Sequence, residues 1–259
     1  MLLLHLCERW LARVAVSEWR DSLILKGGLN LYSRYRETAR PTRDIDLAAV
    51  RIQATPEDVQ RVLTAVLTLD LSDGVTFLPE TLTTHSILED ARYSGLRALF
   101  VGTLSDSASK ATLQIDLSFG NAITPAPAVI AFPNALGLPD TTLLGYPLES
   151  IIAEKLAALI ELGAATTRLK DVYDLYQITT RDPPSADLLA RALRATFERR
   201  GTSLDDIASA ILALSRDPRL QREWQRFLQD SGLRAPAVLE DALTQVVGAL
   251  EAALLETTF

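Results

Sequence analysis

A strand that carries two carboxylates on one face constrains this chain more than any other feature. In residues 23 to 50, LILKGGLNLYSRYRETARPTRDIDLAAV, an apolar run breaks at Gly27-Gly28. Sixteen residues after Gly28 a second apolar run holds Asp44-Ile45-Asp46. Side chains alternate across a strand, so Asp44 and Asp46 project to one face while Ile45 and Leu47 fill the other. Adjacent carboxylates repel and raise each other's pKa unless a cation stands between them. A divalent ion with oxygen ligands resolves that conflict, and Mg²⁺ typically uses one or two carboxylates plus substrate phosphates. The plainer alternative is a solvent-facing strand whose acids keep an edge soluble.

Length and composition allow a real core to stand behind that strand. The chain has 259 residues, 48% of them hydrophobic, enough for one large domain or two modest ones. The apolar stretch Met1 to Cys7 is cut off by Glu8 and Arg9 before it reaches the length of a signal-peptide core. No stretch approaches the ~20 uninterrupted apolar residues of a membrane helix, and a soluble cytoplasmic protein is expected. A single cysteine, Cys7, excludes an internal disulfide and a thiolate metal cluster. The net charge of -7 argues against indiscriminate coating of nucleic acid, which rests on neutralising many phosphates. It leaves room for a local basic site, and Arg34, Arg36, Arg40 and Arg43 place four arginines within ten residues. A solvated helix face and loop accounts for them equally.

Periodicity divides the chain into a mixed part and a helical part. Residues 3 to 20 read as helix, 22 to 26 as a short strand, 29 to 37 as helix and Thr42 to Val50 as a second strand. A helix from Pro56 to Leu69 follows, then strands over Gly74 to Leu78, Leu96 to Leu104 and Ala111 to Phe119. Five of the twelve prolines fall between residues 121 and 147 and predict a connecting segment without long regular structure. Beyond Pro147 only helical patterns remain: Leu148 to Leu162, Arg168 to Thr179, and three or four more ending with 236 to 255. The expectation is an α+β part over residues 1–145 followed by a helical part over 146–259.

Other residues share the oddity of the aspartate pair. In Ala111 to Phe119, Leu113, Ile115, Leu117 and Phe119 alternate with Asp116, which faces the other way. Beside the Asp44/Asp46 strand it would complete a three-carboxylate cluster able to hold two metal ions about 3.5–4 Å apart; alone, it is an ordinary polar-face residue. Lys155 falls inside the apolar stripe of Ile151, Ile152, Leu156 and Leu159, so it must snorkel to the rim or meet an anion. Asp171 and Asp174 lie three apart on one helix face, where Arg168 and Lys170 offer local partners. Gly27-Gly28 reads as a tight strand-to-helix turn. The same turn offers bare N–H groups at a helix start, suited to phosphate oxygens.

The ordered set of LKGGLNLYSRY…RPTRDIDL, LQIDLSFG and ESIIAEKLAAL…RLKDVYDLY resembles the polymerase-beta-like nucleotidyltransferase superfamily. Within it the set is similar to the AbiEii/AbiGii-type toxin branch, which includes the MenT toxins. The motifs span residues 23 to 178, about 60% of the chain. The resemblance implies a nucleotidyltransferase core with a helical C-terminal domain completing the active site. It also implies Mg²⁺ (or Mn²⁺) bound by Asp44 and Asp46, with Asp116 as a third carboxylate that helps activate an attacking hydroxyl. Gly27 and Gly28 match the phosphate-cradling turn, Lys155 a lysine that contacts nucleotide phosphates, and Asp171 a helical catalytic aspartate, with Asp174 the neighbouring choice. Gly28 stands where the wider superfamily has serine, so that hydroxyl contact is absent or comes from Thr42 or Ser33. The implied activity is transfer of NMP from an NTP to an acceptor hydroxyl, the tRNA 3′ end, by the toxin of a type IV-like, phage-abortive-infection-type toxin–antitoxin system. Arg34, Arg36, Arg40 and Arg43 are then candidate RNA contacts, and a separately encoded antitoxin a partner. A protein-modifying nucleotidyltransferase and a catalytically silent nucleotide-binding module are the competing readings.

Overall fold

The computed structural model describes residues 2–90, 93–105, 108–134, 137, 139–166, 168–205 and 207–257. The chain forms two compact units. The first comprises Met1–Arg36, Pro41–Asn121 and Pro127–Tyr146; the second comprises Glu37–Arg40, Ala122–Ala126 and Pro147–Phe259.

The first unit is α+β. In chain order it holds α1 (Leu2–Val16), β1 (Leu23–Lys26), α2 (Gly27–Tyr35), β2 (Asp44–Ala49), α3 (Pro56–Leu67), β3 (Val75–Asp90), β4 (Tyr93–Leu104), β5 (Lys110–Phe119), β6 (Ala128–Phe132) and β7 (Thr141–Gly145). The strands make one mixed seven-stranded sheet in the order β3-β4-β5-β2-β1-β7-β6. β2 runs parallel to β5 and antiparallel to β1, while β4 pairs antiparallel with both β3 and β5. Alternation does what the sequence demands: Leu23, Leu25, Ile45, Leu47, Ile115 and Leu117 join the core that Leu6, Trp10, Leu11 and Val14 of α1 and Val59, Val62 and Val66 of α3 complete. The opposite face is left for the charged residues of β1, β2, β4 and β5. α3 starts at Pro56 because the Thr55 side chain caps the Asp58 N–H, and its valines and leucines recur at helical spacing.

Several elements differ from their expected bounds. α1 stops at Val16 rather than residue 20, where the Ser17 hydroxyl donates back to the Val14 carbonyl at 2.8 Å. α2 begins at Gly27 rather than at residue 29. β3 continues past Leu78, because it is an edge strand and a register shift between Leu78 and Thr83 absorbs Pro79. β6 and β7 lie within the proline-rich stretch, yet the prolines at 125, 127, 133, 139 and 147 flank these strands and none falls inside them.

The second unit holds helices and no strand among its described residues: α4 (Leu148–Leu162), α5 (Leu169–Arg181), α6 (Ala186–Arg200), α7 (Ile207–Ala213), α8 (Pro218–Ser231) and α9 (Leu239–Thr257), with short 3₁₀ turns. α9 packs against α5, α6, α7 and α8. The two short segments that belong here are tied by hydrogen bonds. Tyr173 donates its hydroxyl to the Thr38 carbonyl at 2.9 Å, and Ser150 both accepts from the Thr124 N–H at 2.8 Å and donates to its carbonyl at 2.9 Å. No helix among the described residues is long and apolar enough to cross a membrane.

A buried ion cluster fastens α1 to the turn before β3. Asp73 accepts from Arg9 Nε at 2.6 Å and from Arg13 Nη1 and Nη2 at 2.9 and 3.1 Å, and Arg13 also donates to the carbonyls of Leu69 and Val75. Burial pushes the Asp73 carboxyl up, but the hydrogen bonds from Arg13 and Arg9 outweigh it and hold the group below the ordinary aspartate value. A folded-state pKa below the unfolded one stabilises the fold above the unfolded value, and the gain is lost as pH falls through the folded value. Asp73→Asn is therefore expected to cost about 3–5 kcal/mol at pH 7 by urea denaturation, since it strands two buried guanidinium groups. The gap between parent and variant is expected to narrow as pH drops below about 4.

Candidate active site

Strand register assembles the charged face of the first unit. Asp46 on β2 stands directly beside Asp116 on β5, Asp116 lies opposite Arg97 on β4, and Lys26 on β1 lies opposite Asp46. Paired residues share a face, so four neighbouring strands present Lys26, Asp46, Asp116 and Arg97 as one row, plus–minus–minus–plus. Asp44 follows one alternation along β2, beside Gln114. Lys26 and Asp116 are buried, while Asp44 and Asp46 are half-buried and open to solvent.

Arg97 grips Asp116 side-on, with Nε to Oδ1 and Nη2 to Oδ2 both at 2.8 Å. Gln114 Nε2 reaches the same two oxygens at 3.4 and 3.2 Å. The hydrogen bond to Asp116, followed by the charges of Asp116, Asp44 and Asp46, holds the Arg97 guanidinium above its ordinary value despite partial burial. Arg97 was not among the residues singled out from the sequence, although the same signal was present: a lone charge between Leu96 and Ala98 in an alternating strand.

Gly27 is required by two independent constraints. Its φ of +65° is left-handed, and a Cβ placed there would lie 2.0 Å from Asp46 Oδ2. The turn that opens α2 is thus shaped around the Asp46 carboxylate. Gly28 is buried and is not among the glycines with positive φ. Thr42 is half-buried in the loop leading to Asp44, and Ser33 donates its hydroxyl to the Asn30 carbonyl at 2.7 Å.

The donor set suits a hard cation to a defined extent. Asp44 and Asp46 offer adjacent carboxylates on one accessible face, as Mg²⁺ requires when it completes its shell with water and phosphate. Asp116 lies next to them, but its oxygens are engaged by Arg97 and Gln114. No group of three His, Cys, Asp or Glu among the described residues is spaced to hold a metal ion. A two-carboxylate seat therefore fits the divalent ion, whereas the three-carboxylate, two-metal arrangement is not preassembled. Cys7 offers no further ligand, because burial, then the charges of Asp44 and Glu8, push its thiol up to about 12.

The second unit carries its own charged cluster. Lys155 Nζ contacts Asp171 Oδ1 at 2.5 Å and Asp174 Oδ2 at 2.8 Å, so this lysine meets anions and does not snorkel. Arg40 Nε sits 3.0 Å from Asp174 Oδ2, and Arg168 Nη1 3.5 Å from Asp171 Oδ2, giving a chain of five alternating charges. Asp174 thus takes Lys155 and Arg40 as partners in place of the local Lys170. Burial pulls the Lys155 ammonium down, but Asp171 and then Asp174 more than offset it, leaving its pKa above the ordinary lysine value. Burial likewise pushes Asp171 up, and Lys155 reverses this and holds it below the usual carboxylate range. Of the four arginines proposed to contact RNA, Arg34, Arg36 and Arg43 are exposed, with Arg36 3.8 Å from Asp140. Arg40 differs, because its guanidinium is committed to Asp174.

Two substitutions test these arrangements. Gly27→Ala should destabilise the fold by at least the ~1–2 kcal/mol of a left-handed non-glycine residue, and a crystal structure should show the Asp46 carboxylate displaced. Lys155→Met should cost up to about 3–5 kcal/mol in denaturant unfolding, because Asp171 and Asp174 would lose the ammonium between them and each be left with a single flanking arginine.

Comparison with known proteins bears on the family and the fold. The family described as Nucleotidyl transferase AbiEii toxin, Type IV TA system, matches residues 9–247. Among solved structures the chain is similar to JHP933 from Helicobacter pylori, with a TM-score of 0.56 and 20% identity over 98% of this chain and 94% of that one. It is also similar to a candidate nucleotidyltransferase from H. pylori, with a TM-score of 0.51 and 17% identity over 98% of this chain and 96% of that one. At these identities the two structures speak for the fold alone. No curated protein sequence matches the chain. With the family model spanning both units, the chain belongs to the AbiEii nucleotidyl transferase toxin family of type IV toxin–antitoxin systems.

Proposed function

We propose that the chain transfers a nucleoside monophosphate from an NTP to an acceptor hydroxyl, with the 3′ end of tRNA as the acceptor. The observation that carries this reading is the register of β2 and β5, which brings Asp44, Asp46 and Asp116 to one face beside the Gly27 turn. Asp44 and Asp46 would hold Mg²⁺ or Mn²⁺, which when bound supplies positive charge against the triphosphate and aligns it for in-line displacement. The N–H groups at the start of α2 face phosphate oxygens in this reading. In the reaction the acceptor oxygen forms a bond to the α-phosphorus, the α–β phosphoanhydride bond breaks, and pyrophosphate leaves. Asp116 takes the proton of the attacking hydroxyl, and Arg97 keeps its carboxylate oriented. Family membership implies a nucleotide substrate and an antitoxin partner, and the exposed Arg34, Arg36 and Arg43 are the residues we assign to RNA. Lys155 enters as a phosphate contact that exchanges one of its aspartates for the nucleotide.

The test is incubation of the full chain with α-labelled NTPs, divalent ion, and either total RNA or protein extract. Label is expected in the tRNA fraction, and Asp44→Ala/Asp46→Ala should abolish it without changing the melting temperature by more than a few degrees. Equal labelling by parent and double variant overturns the mechanism. Label in the protein fraction instead assigns a protein acceptor, and thermal stabilisation by NTP without product assigns a silent binding module.

A further inference from the structure

Asp116 is fully engaged by its neighbours on the sheet face. A carboxylate offers about four lone-pair sites, and four donor contacts reach those of Asp116: two from Arg97 at 2.8 Å, and two from Gln114 at 3.4 and 3.2 Å. Both donors come from the sheet face that carries Asp44 and Asp46, and together they engage both carboxylate oxygens of Asp116. Arg97 also brings the row its second positive charge, at the opposite end from Lys26. The side-on geometry is the strong form of this pair, with two parallel charge-assisted bonds. It leaves Arg97 Nη1 outside the pair on a side chain that is 38% exposed.

We propose that Arg97, with Gln114, is a positioning residue that serves as the resident counter-cation of Asp116 and competes with the divalent ion for its oxygens. Asp44 and Asp46 then make the first seat for the ion, and Asp116 becomes a ligand only when the guanidinium yields one of its two bonds. The inference rests on the divalent-ion reading given above and adds to it which residue limits ion affinity.

Manganese titration of the nucleotide-free full chain, followed by electron paramagnetic resonance, tests it. The parent should bind Mn²⁺ through a site that Asp44→Ala/Asp46→Ala removes. In Arg97→Gln the Mn²⁺ affinity should rise by on the order of tenfold, the size of losing one neighbouring like charge. In an Asp116→Asn background the same replacement should produce no such rise. Arg97→Lys, which keeps the charge but loses the fork, should shift affinity in the same direction by less, and it serves where Arg97→Gln fails to fold. A merely structural arginine would lower the melting temperature and leave Mn²⁺ affinity unchanged. Unchanged or weaker affinity in the Arg97 variants, with parent binding intact, overturns this proposal alone; absence of Asp44/Asp46-dependent binding in the parent overturns both readings.

Discussion

Two carboxylates held side by side on parallel strands are the constraint around which the first unit is built. Asp46 and Asp116 occupy one register position, and strands lie under 5 Å apart. Two like charges about 5 Å apart repel by roughly 3 kcal/mol at an effective dielectric near 20, a large fraction of a domain's net stability. The residues that neighbour the pair answer that repulsion. Arg97 and Lys26 stand at the two ends of the row, Gln114 donates to Asp116, and Gly27 gives up a side chain so that the Asp46 carboxylate has space. An ordinary solvent-facing strand would need none of these, so the plainer account of Asp44 and Asp46 as edge acids does not explain their surroundings.

The second unit solves the same electrostatic problem under heavier burial. Lys155, Asp171 and Asp174 are all nearly inaccessible, and each aspartate is bracketed by two cations. Such a network adds little net stability compared with an apolar substitute of the same shape, but removing any one member is costly. It therefore specifies arrangement more than it strengthens the fold. It fixes the spacing of α4 and α5, and through Arg40 it holds the segment Glu37–Arg40 within this unit.

What the sequence disclosed follows from which signals are local. Alternation in DIDLAA and LQIDLSF places Asp44, Asp46 and Asp116 on the correct faces, since side-chain direction in a strand is fixed by parity alone. The Lys155 anomaly likewise needed only the helical period, and its partners Asp171 and Asp174 were already suspect. Long-range pairing was not legible. Nothing in GLRALFV says that Arg97 lies opposite Asp116, because register between β4 and β5 is set by tertiary structure. The same holds for Arg40, whose neighbours in sequence suggest an RNA-facing arginine until Asp174 is seen to hold it. Proline density misled for β6 and β7 because it marks the ends of short strands as readily as their absence.

The two clusters differ in what a ligand must break to enter them, and that difference carries chemical weight. Asp44 and Asp46 are half-exposed, so a hydrated cation can approach them from solvent. Lys155 is 9% exposed and already satisfied by two carboxylates. A phosphate recruiting it must compensate Asp171 or Asp174 for the lost ammonium, and Arg168 and Arg40 are positioned to do so. The flanking arginines thus give the buried cluster a second charge-balanced arrangement, in which each aspartate keeps one cation while the lysine turns to another anion. A lysine paired with a single aspartate and no flanking arginine would lack that alternative, because its departure would leave a buried carboxylate bare.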